Sequence, residues 1–223
     1  TSWGHDLAPK MALGDLVERV LGAFPQLARI RLSSVDGVEI DEKLFDLIAH
    51  EARIMPHLHL SLQHGHDLIL KRMKRRHLRR NAVDLVARLK AARPEIAVGA
   101  DLIAGFPTEN EEHHAANLSI IDELDIVHGH IFPYSPRPGT PAARMPQLDR
   151  GLIKARAGEL RARVAARRAA WLDGFVGETL PVLAERDGTG YAPSYARVAV
   201  PESSAAGEVV DVTISAVDGG LLN

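Results

Sequence analysis

Cysteine is absent from the 223 residues. This absence excludes disulfides, zinc–thiolate sites and cysteine-ligated iron–sulfur clusters built from these residues. The chain also has no run of about 18 apolar residues, so the sequence predicts no membrane span. No basic segment with an apolar core opens the chain, and we therefore expect a cytoplasmic protein.

The rest of the composition is that of an ordinary globular protein. Hydrophobic residues make up 46% of the chain and charged residues 25%, with a formal net charge of −2. The chain as a whole is therefore no polycation, so any affinity for nucleic acid must come from local clusters. Its length allows one large domain, or a medium domain with a small one.

Helical and strand-like segments alternate through the first two thirds of the chain. Apolar residues at helical spacing predict helices over 12–24, 41–52, 66–77, 81–93 and 109–124. Strand-like runs lie over 28–34, 57–63, the first part of 95–107, and 125–134. This order predicts an α/β fold with a parallel sheet and outer helices. Four strands are too few to close a barrel of eight, so we expect an open, partial barrel.

The remaining third changes character twice. Four prolines exclude regular structure from 135–146, and a long helix rich in alanine, arginine and leucine is predicted over 151–172. Short strand-like runs then predict a small β-barrel module. We therefore divide the chain into a partial barrel (1–147), a connecting basic helix (148–173) and a β module (174–223).

The strand 57–63 has one apolar and one polar face. Its leucines alternate with polar residues, which are His57, His59, Ser61 and Gln63. A buried parallel strand is normally apolar on both faces. The polar face therefore predicts an interior that holds water, substrate or cofactor, or else an internal hydrogen-bond network.

Histidine spacing offers an alternative, a metal-dependent hydrolase. The H-x-H at 57–59 could chelate a metal together with Asp101, His128 or His130. We place this pair at the start of its strand, opposite the strand exits where sites collect, and therefore predict no metal ligand. Two more histidines are expected to be exposed in the loop that follows, His64 and His66.

Two basic clusters give the chain a marked charge asymmetry. Seven of the ten residues over 71–80 are lysine or arginine, and the helix 151–172 is also strongly basic. Such runs often form only a solvated helix face, but the first cluster directly follows a strand exit. A phosphate-rich partner is a reasonable prediction, and a small β module beyond a basic helix favours RNA.

Four ordered motifs carry a resemblance to a known family: RLSSVDGVEID, MPHLHLSLQHGHDLILKRMKRR, GADLIAGFPTENEE and HIFPYSPRPGTPAARMP. Together they resemble the radical-SAM methylthiotransferases. The resemblance is closest to the MtaB-type enzymes, which modify N6-threonylcarbamoyladenosine beside the anticodon of tRNA. The tail resembles a divergent TRAM module, the small β-barrel that holds tRNA in this family.

The resemblance implies radical chemistry on tRNA. In the family, S-adenosylmethionine is cleaved at a [4Fe–4S] cluster and the radical removes hydrogen from C2 of the adenine. A second cluster supplies sulfur and another S-adenosylmethionine supplies the methyl group; the complete enzyme needs a sulfur donor and an electron donor. The family's cluster-binding cysteines lie upstream of what is here, and TSWGHDL (1–7) resembles the sequence after the second barrel strand. We therefore expect the C-terminal part of such an enzyme, without radical activity of its own.

Radical-SAM enzymes also imply roles for particular residues. Gln63 and Asp101 would bind the ribose of S-adenosylmethionine, and Arg75 would hold its methionine carboxylate. Ser33 or Ser34 would approach the methionine or ribose. The adenine would be enclosed by Gly105, Phe106 and Tyr134. Candidate RNA-binding residues are the exposed cations Arg72, Lys74, Arg76, Arg137, Arg161 and Arg168. No catalytic side chain and no metal ligand is predicted in this chain.

Two motifs depart from the family pattern. The loop usually written QSG is QHG here, so His64 replaces serine and could alter a substrate contact. FPTEN stands in place of the commoner FPGET. An alternative function is a non-catalytic RNA-binding module that retains the fold; a metal-dependent hydrolase ranks third.

Overall fold

The computed structural model describes residues 3–4 and 6–223. Three residues of the TSWGHDL segment therefore lie outside the description: Thr1, Ser2 and His5. The chain divides into two compact units, Thr1–Val164 and Ala165–Asn223. In the described part of the chain, no helix is both long and apolar enough to cross a bilayer.

The first unit is a four-stranded parallel sheet covered by helices. Its strands pair in chain order, β1-β2-β3-β4. The strands are β1 (Ile30–Val35), β2 (Ile54–Gln63), β3 (Ala97–Ala104) and β4 (Ile126–Pro133). The helices are α1 (Leu13–Ala23), α2 (Glu42–His50), α3 (Asp67–Arg72), α4 (Arg79–Ala92) and α5 (Glu111–Glu123). Two single 3₁₀ turns lie at Gly37–Glu39 and Ala142–Arg144. The predicted α/β class with a parallel sheet is confirmed.

The alternation along β2 separates the two faces of the sheet. Leu58, Leu60 and Leu62 are buried in the main hydrophobic core, which the helices cover. The opposite face carries the polar residues predicted from the sequence. A β-strand places successive side chains on opposite faces, so one strand can face a core and a polar interior at once.

Two predicted elements have different limits in the structure. β2 begins at Ile54 rather than at 57, because the segment Ile54–Pro56 is buried and already runs alongside β1. The helix expected over 66–77 ends at Arg72, and Lys74 then adopts a left-handed conformation with φ of 58°. The basic run is therefore mostly a turn between α3 and α4, and not the face of one helix.

A long helix, α6 (Arg150–Asp173), belongs partly to each unit. Its first turns bury Ile153, Ala157, Leu160 and Val164 in the first unit. The connecting helix predicted for 148–173 is therefore half embedded in the core of the preceding unit.

The second unit holds a six-stranded mixed sheet in the order β8-β5-β6-β7-β10-β9. Its strands are β5 (Thr179–Ala184), β6 (Thr189–Tyr191), β7 (Arg197–Ala199), β8 (Val209–Thr213), β9 (Val217–Asp218) and β10 (Leu221–Leu222). Most pairs are antiparallel, and β10 pairs with β7 in parallel. A separate small core surrounds Leu172, Val182 and Val198.

Candidate functional site

A cleft of about 690 Å³ opens at the carboxyl ends of β2, β3 and β4. This is the edge at which parallel sheets place their ligands, because the connecting loops meet there. The cleft brings together five of the residues predicted for cofactor binding: Gln63, Arg75, Asp101, Phe106 and Tyr134.

Gln63 ends β2 in a left-handed conformation, with φ of 71°. The pairing register with β3 shifts at the same place, between Leu60 and Gln63. A non-glycine residue rarely adopts this conformation, and such residues cluster where a side chain must be aimed at a ligand. The turn places Gln63 in the lining of the cleft.

Arg75 is anchored at one end of its guanidinium group and unused at another. Its Nη2 donates to the carbonyl oxygen of Ser61 at 2.6 Å. Its Nε is buried and has no hydrogen-bond partner within the described ranges. Since a buried donor without a partner is costly, this N–H would gain from an acceptor that enters the cleft.

Asp101 lies at the centre of a polar group on three adjacent strands. Its Oδ1 is 3.0 Å from His59 Nε2 and 3.2 Å from His130 Nδ1. His59 can lean across β3 because Gly99 has no side chain; a Cβ atom there would lie 2.3 Å from His59 Nδ1. On β3, Gly99 therefore leaves the space that His59 occupies, and Asp101, two residues later, is its hydrogen-bond partner.

This arrangement corrects the expectation for the H-x-H. His57 and His59 lie in the middle of β2, which begins three residues before His57, and both are buried. His59, Asp101 and His130 place one ligand atom each within 4.8 Å of one another. Two imidazoles and a carboxylate are a donor set that divalent transition ions accept. The argument that the pair stands at the wrong end of its strand was wrong.

Burial changes the protonation of His57. It lowers the pKa of the imidazole from 6.5 to about 3, and the neighbouring charges of His128 and Arg31 act in the same direction. His57 and His128 meet edge to face, with ring centroids 5.1 Å apart. His57 is therefore neutral throughout the physiological range.

Two aromatic rings form the apolar part of the cleft. Phe106 and Tyr134 meet edge to face with centroids 5.3 Å apart. The hydroxyl of Tyr134 is buried without a partner in the described structure, and burial raises the pKa of this phenol. Gly105, beside Phe106, has a φ of +73° and packs so closely on Ile153 that a Cβ atom would lie 2.6 Å away. An aromatic wall with one unused hydroxyl suits a flat heterocycle that carries polar groups.

A buried network of three residues lies behind the cleft: His64, Glu109 and Arg156. His64 Nε2 is 3.1 Å from Glu109 Oε2, and Arg156 Nη1 donates to Glu109 Oε1 at 3.0 Å. The N–H of Gly105 also donates to Glu109 Oε2, at 3.1 Å. The network joins the loops after β2 and β3 to α6.

The network corrects the expectation that His64 is exposed. Its exposed fraction is 0%, and its Nδ1 accepts from the N–H of His66 at 3.0 Å. Nε2 therefore carries the proton and donates to Glu109. His64 does not line the cleft, and its hydrogen bonds are with Glu109 and His66 inside the protein.

Charge within the buried network is balanced. Burial lowers the pKa of His64 and outweighs the carboxylate beside it. Burial also tends to raise the pKa of Glu109, but the hydrogen bond from His64, the charge of Arg156 and the N–H of Gly105 together lower it. The network thus consists of a neutral imidazole, a carboxylate and a guanidinium. Neither Glu109 nor Arg156 was singled out from the sequence, where a glutamate in a loop and an arginine in a basic helix are inconspicuous.

Ser33 and Ser34 are predicted cofactor residues that the structure does not bring into the cleft. Between Leu32 and Val35, β1 has one residue more than the partner segment Leu58–Leu60. This bulge, with Ser34 at a φ of 51°, leaves both serines exposed on the strand. A bulge shifts every following side chain and cannot be read from alternation alone.

The predicted RNA-binding cations occupy different settings. Arg72, Lys74 and Arg137 line the cleft, whereas Arg76 forms an ion pair with Glu39. Arg168 lies over the ring of Trp171, 5.9 Å from its centroid.

Arg161 lines a second groove of about 420 Å³, along the first turns of α6. It shares this groove with Lys154, Arg150 and Tyr134, and Tyr134 also lines the cleft. The second groove is therefore a basic extension of the cleft.

The donor set of the cleft fits S-adenosylmethionine. Arg75 offers a buried unused N–H, Asp101 offers acceptor oxygens, and Phe106 with Tyr134 offers an aromatic wall. An iron–sulfur cluster does not fit in the same way, since none of the 223 residues is a cysteine and no thiolate can be supplied from this chain.

Comparisons with known proteins agree with a partial radical-SAM barrel. The model of the radical SAM superfamily matches residues 12–118. The chain also resembles the fold of coproporphyrinogen III oxidase from Escherichia coli, described as a radical SAM enzyme, with a TM-score of 0.50 and 18% identity. That likeness covers 72% of this chain and 37% of the oxidase. The chain belongs to the radical SAM superfamily.

Curated relatives narrow the comparison within the superfamily. The chain is 40% identical over 222 residues to the threonylcarbamoyladenosine tRNA methylthiotransferase MtaB of Rickettsia prowazekii, covering 100% of this chain and 53% of the relative. It is 37% identical over 190 residues to the tRNA-2-methylthio-N(6)-dimethylallyladenosine synthase of Erythrobacter litoralis, covering 84% and 43%. The chain thus spans about half the length of the curated relatives it matches.

Proposed function

We propose that this chain is the S-adenosylmethionine- and tRNA-binding part of a methylthiotransferase that adds a methylthio group to C2 of N6-threonylcarbamoyladenosine beside the anticodon. The single observation that carries the proposal is the convergence of Gln63, Arg75 and Asp101 with two aromatic rings at the strand exits. The similarity to MtaB over the whole chain supports the choice of substrate.

Within this proposal each residue of the cleft has a separate task. Arg75 holds the methionine carboxylate, because a guanidinium fixed at Nη2 presents its remaining N–H groups without losing further side-chain freedom. Gln63 and Asp101 bind the ribose, and Phe106 with Tyr134 enclose the adenine. S-adenosylmethionine supplies the methyl group in the proposed reaction. The cysteine ligands of the clusters, the sulfur donor and the electron donor are contributions from outside these residues.

Binding of tRNA is the second part of the proposal. The cations Lys74 and Arg137 line the cleft, and Arg161 with Lys154 lines the second groove. In the second unit, Tyr191 and Tyr195 stack with centroids 4.6 Å apart, a surface on which a base can stack. We propose that this unit is a TRAM-like RNA-binding module. A tRNA partner would also support the expected cytoplasmic location.

A pair of neighbouring arginines tests the cofactor site. We expect Arg75→Met to weaken S-adenosylmethionine binding by about tenfold to a hundredfold, because a charged hydrogen bond is removed. Arg76→Met is the matched control, since Arg76 is next in the chain but exposed and paired with Glu39. Isothermal titration calorimetry measures the affinity of both variants for S-adenosylmethionine. Equal affinities would contradict the assignment of Arg75.

The alternative of a non-catalytic RNA-binding module predicts a different binding profile. Such a module would bind tRNA with strong salt dependence and would not bind S-adenosylmethionine. Titrating the purified chain with each ligand separately distinguishes the two functions. Turnover by the purified chain alone would contradict the expectation that these residues need cluster ligands from elsewhere.

The His59–Asp101–His130 group favours one further candidate, a metal-dependent activity. The three ligand atoms are close enough to hold a divalent ion. Elemental analysis after incubation with Zn²⁺ and dialysis tests this candidate, with His59→Ala as the comparison. A stoichiometric metal that is missing from the variant supports it, and the absence of metal in the unaltered chain removes it.

A further inference from the structure

Thr108 has a strained backbone beside the cleft. It lies in the loop between β3 and α5 with a φ of 69°. This left-handed conformation is uncommon for residues other than glycine and asparagine, and for a β-branched residue it is an outlier. Strain of this kind persists where the surrounding structure or a function requires it.

The side chain of Thr108 holds an arginine. Its Oγ1 accepts a hydrogen bond of 2.5 Å from Nη1 of Arg72, the last residue of α3. Arg72 lines the cleft, and within the described ranges no carboxylate lies within ion-pair distance of it. The hydroxyl therefore fixes a guanidinium at the cleft without neutralising its charge.

The cleft carries more positive charge than S-adenosylmethionine needs. Its lining holds four cations, Arg72, Lys74, Arg75 and Arg137, against the single carboxylate of Asp101. The methionine carboxylate would engage Arg75 alone. An additional anion is therefore expected in the cleft, and an arginine fork suits a carboxylate.

The two kinds of relative are named for nucleosides that differ in whether their N6 substituent carries an anion. One is named for threonylcarbamoyladenosine, whose N6 substituent ends in a carboxylate, and the other for dimethylallyladenosine, whose N6 substituent is apolar. We propose that Thr108 is a positioning residue that holds Arg72 for the carboxylate of an N6-threonylcarbamoyl group. Arg72 thereby selects the acidic adenosine against the dimethylallyl one. The inference rests on the proposed function.

Three substitutions at Thr108 separate positioning from a structural role. Thr108→Val keeps the shape but removes the hydroxyl, Thr108→Gly removes both hydroxyl and strain, and Thr108→Ser keeps the hydroxyl. Affinities for N6-threonylcarbamoyladenosine and N6-dimethylallyladenosine are measured by isothermal titration, and the thermal midpoint is measured in parallel. Thr179→Val is the matched control, an exposed threonine of the second unit that bonds Thr213.

In the valine and glycine variants, we expect the ratio of the affinity for the acidic nucleoside to that for the dimethylallyl nucleoside to fall roughly tenfold. The serine variant and Thr179→Val should keep the preference, and Arg72→Met should abolish it. The glycine variant should also unfold at a higher temperature, since relief of strain stabilises the chain while the preference falls. A purely structural Thr108 would change the midpoint and leave the ratio of affinities unaltered.

Two failures can be told apart. A preference for the acidic nucleoside that survives in both the valine and glycine variants overturns the role of Thr108 and leaves the proposed function standing. A chain that binds S-adenosylmethionine but shows no preference between the nucleosides contradicts the inference and the proposed substrate together.

Discussion

The cleft and the buried network lie at the exits of the same strands and each contains an arginine, yet the two arginines differ in their partners. In the buried network, Glu109 takes hydrogen bonds from His64, Arg156 and Gly105. In the cleft, Arg75 Nη2 donates to the carbonyl oxygen of Ser61, and no carboxylate of the described residues lies within ion-pair distance of it. Arg75 and Arg156 each keep a buried Nε without a partner in the described structure, so the carboxylate partner is what separates them.

This difference separates a structural role from a binding role. A buried charge whose partners are all internal contributes a fixed geometry, and removing one partner leaves the other uncompensated. A charge in an open cleft without an internal counter-charge contributes little to stability and is available to a ligand. The type of residue does not separate these roles; the location of its partners does.

The largest expected effect lies in the buried network. Arg156→Met leaves the Glu109 carboxylate buried with fewer partners, and we expect the free energy of unfolding to fall by about 3–5 kcal/mol. Arg137→Met, an exposed cation of the cleft, should change it by no more than about 0.5 kcal/mol. Urea denaturation of both variants measures the contrast. Equal losses would break the distinction between the two regions.

Acid should lower the free energy of unfolding, because burial lowers the pKa of two histidines. The pKa of His57 is lowered from 6.5 to about 3, so below pH 6.5 the unfolded chain binds a proton that the folded chain excludes. Stability therefore falls as the pH drops from 6.5 towards 3, by about 2 kcal/mol at pH 5 from His57 alone. The lowered pKa of His64 acts in the same direction.

Denaturation at pH 7 and pH 5 checks this sensitivity. In a His57→Gln variant, the free energy of unfolding should fall by about 2 kcal/mol less between pH 7 and pH 5 than in the unaltered chain. A variant at an exposed histidine on α2, His50→Gln, should show the same fall as the unaltered chain. An unchanged difference in His57→Gln would show that the acid sensitivity arises elsewhere.

The contact between His59 and Asp101 depends on one glycine. Gly99→Ala places a Cβ atom 2.3 Å from His59 Nδ1, so His59 must move away from Asp101, and we expect a loss of about 1–3 kcal/mol. Gly22→Ala, on α1 with no atom within 4 Å of its added Cβ, should instead gain about 0.5–1 kcal/mol. Thermal unfolding of the two variants gives opposite shifts; a tolerated Gly99→Ala would show that His59 is free to move.

The smallest expected effect concerns the second groove. Replacing Lys154 or Arg161 by methionine should reduce the slope of log K for tRNA against log salt by about 0.7–0.9 for each phosphate that the protein no longer neutralises. S-adenosylmethionine affinity should be unaffected, because neither residue lines the cleft. Arg88→Met serves as the comparison, since Arg88 is an exposed cation of α4 that pairs with Glu42 and lines neither the cleft nor the second groove. An unaltered slope would exclude the groove from the RNA path.

The candidate site was predicted in part from strand endings. Gln63 and Asp101 belong to the strand exits expected from the sequence, whereas Arg75 follows α3 and was expected from the family resemblance. The structure brings all three to one cleft. Ser33 and Ser34 follow a similar pattern but sit on a bulge, which depends on how β1 pairs with β2. Glu109 and Arg156 went unnoticed because their meeting joins residues 47 positions apart in the chain.

The sequence by itself determined the α/β class, the two faces of β2 and the absence of thiolate ligands. These follow from local periodicity and residue chemistry, which each segment carries with it. Only the tertiary structure decided that His64 is buried, that His59, Asp101 and His130 meet, and that Thr108 holds Arg72. Those facts depend on register, on the space left by Gly99 and on backbone angles, which long-range packing sets and local pattern does not reveal.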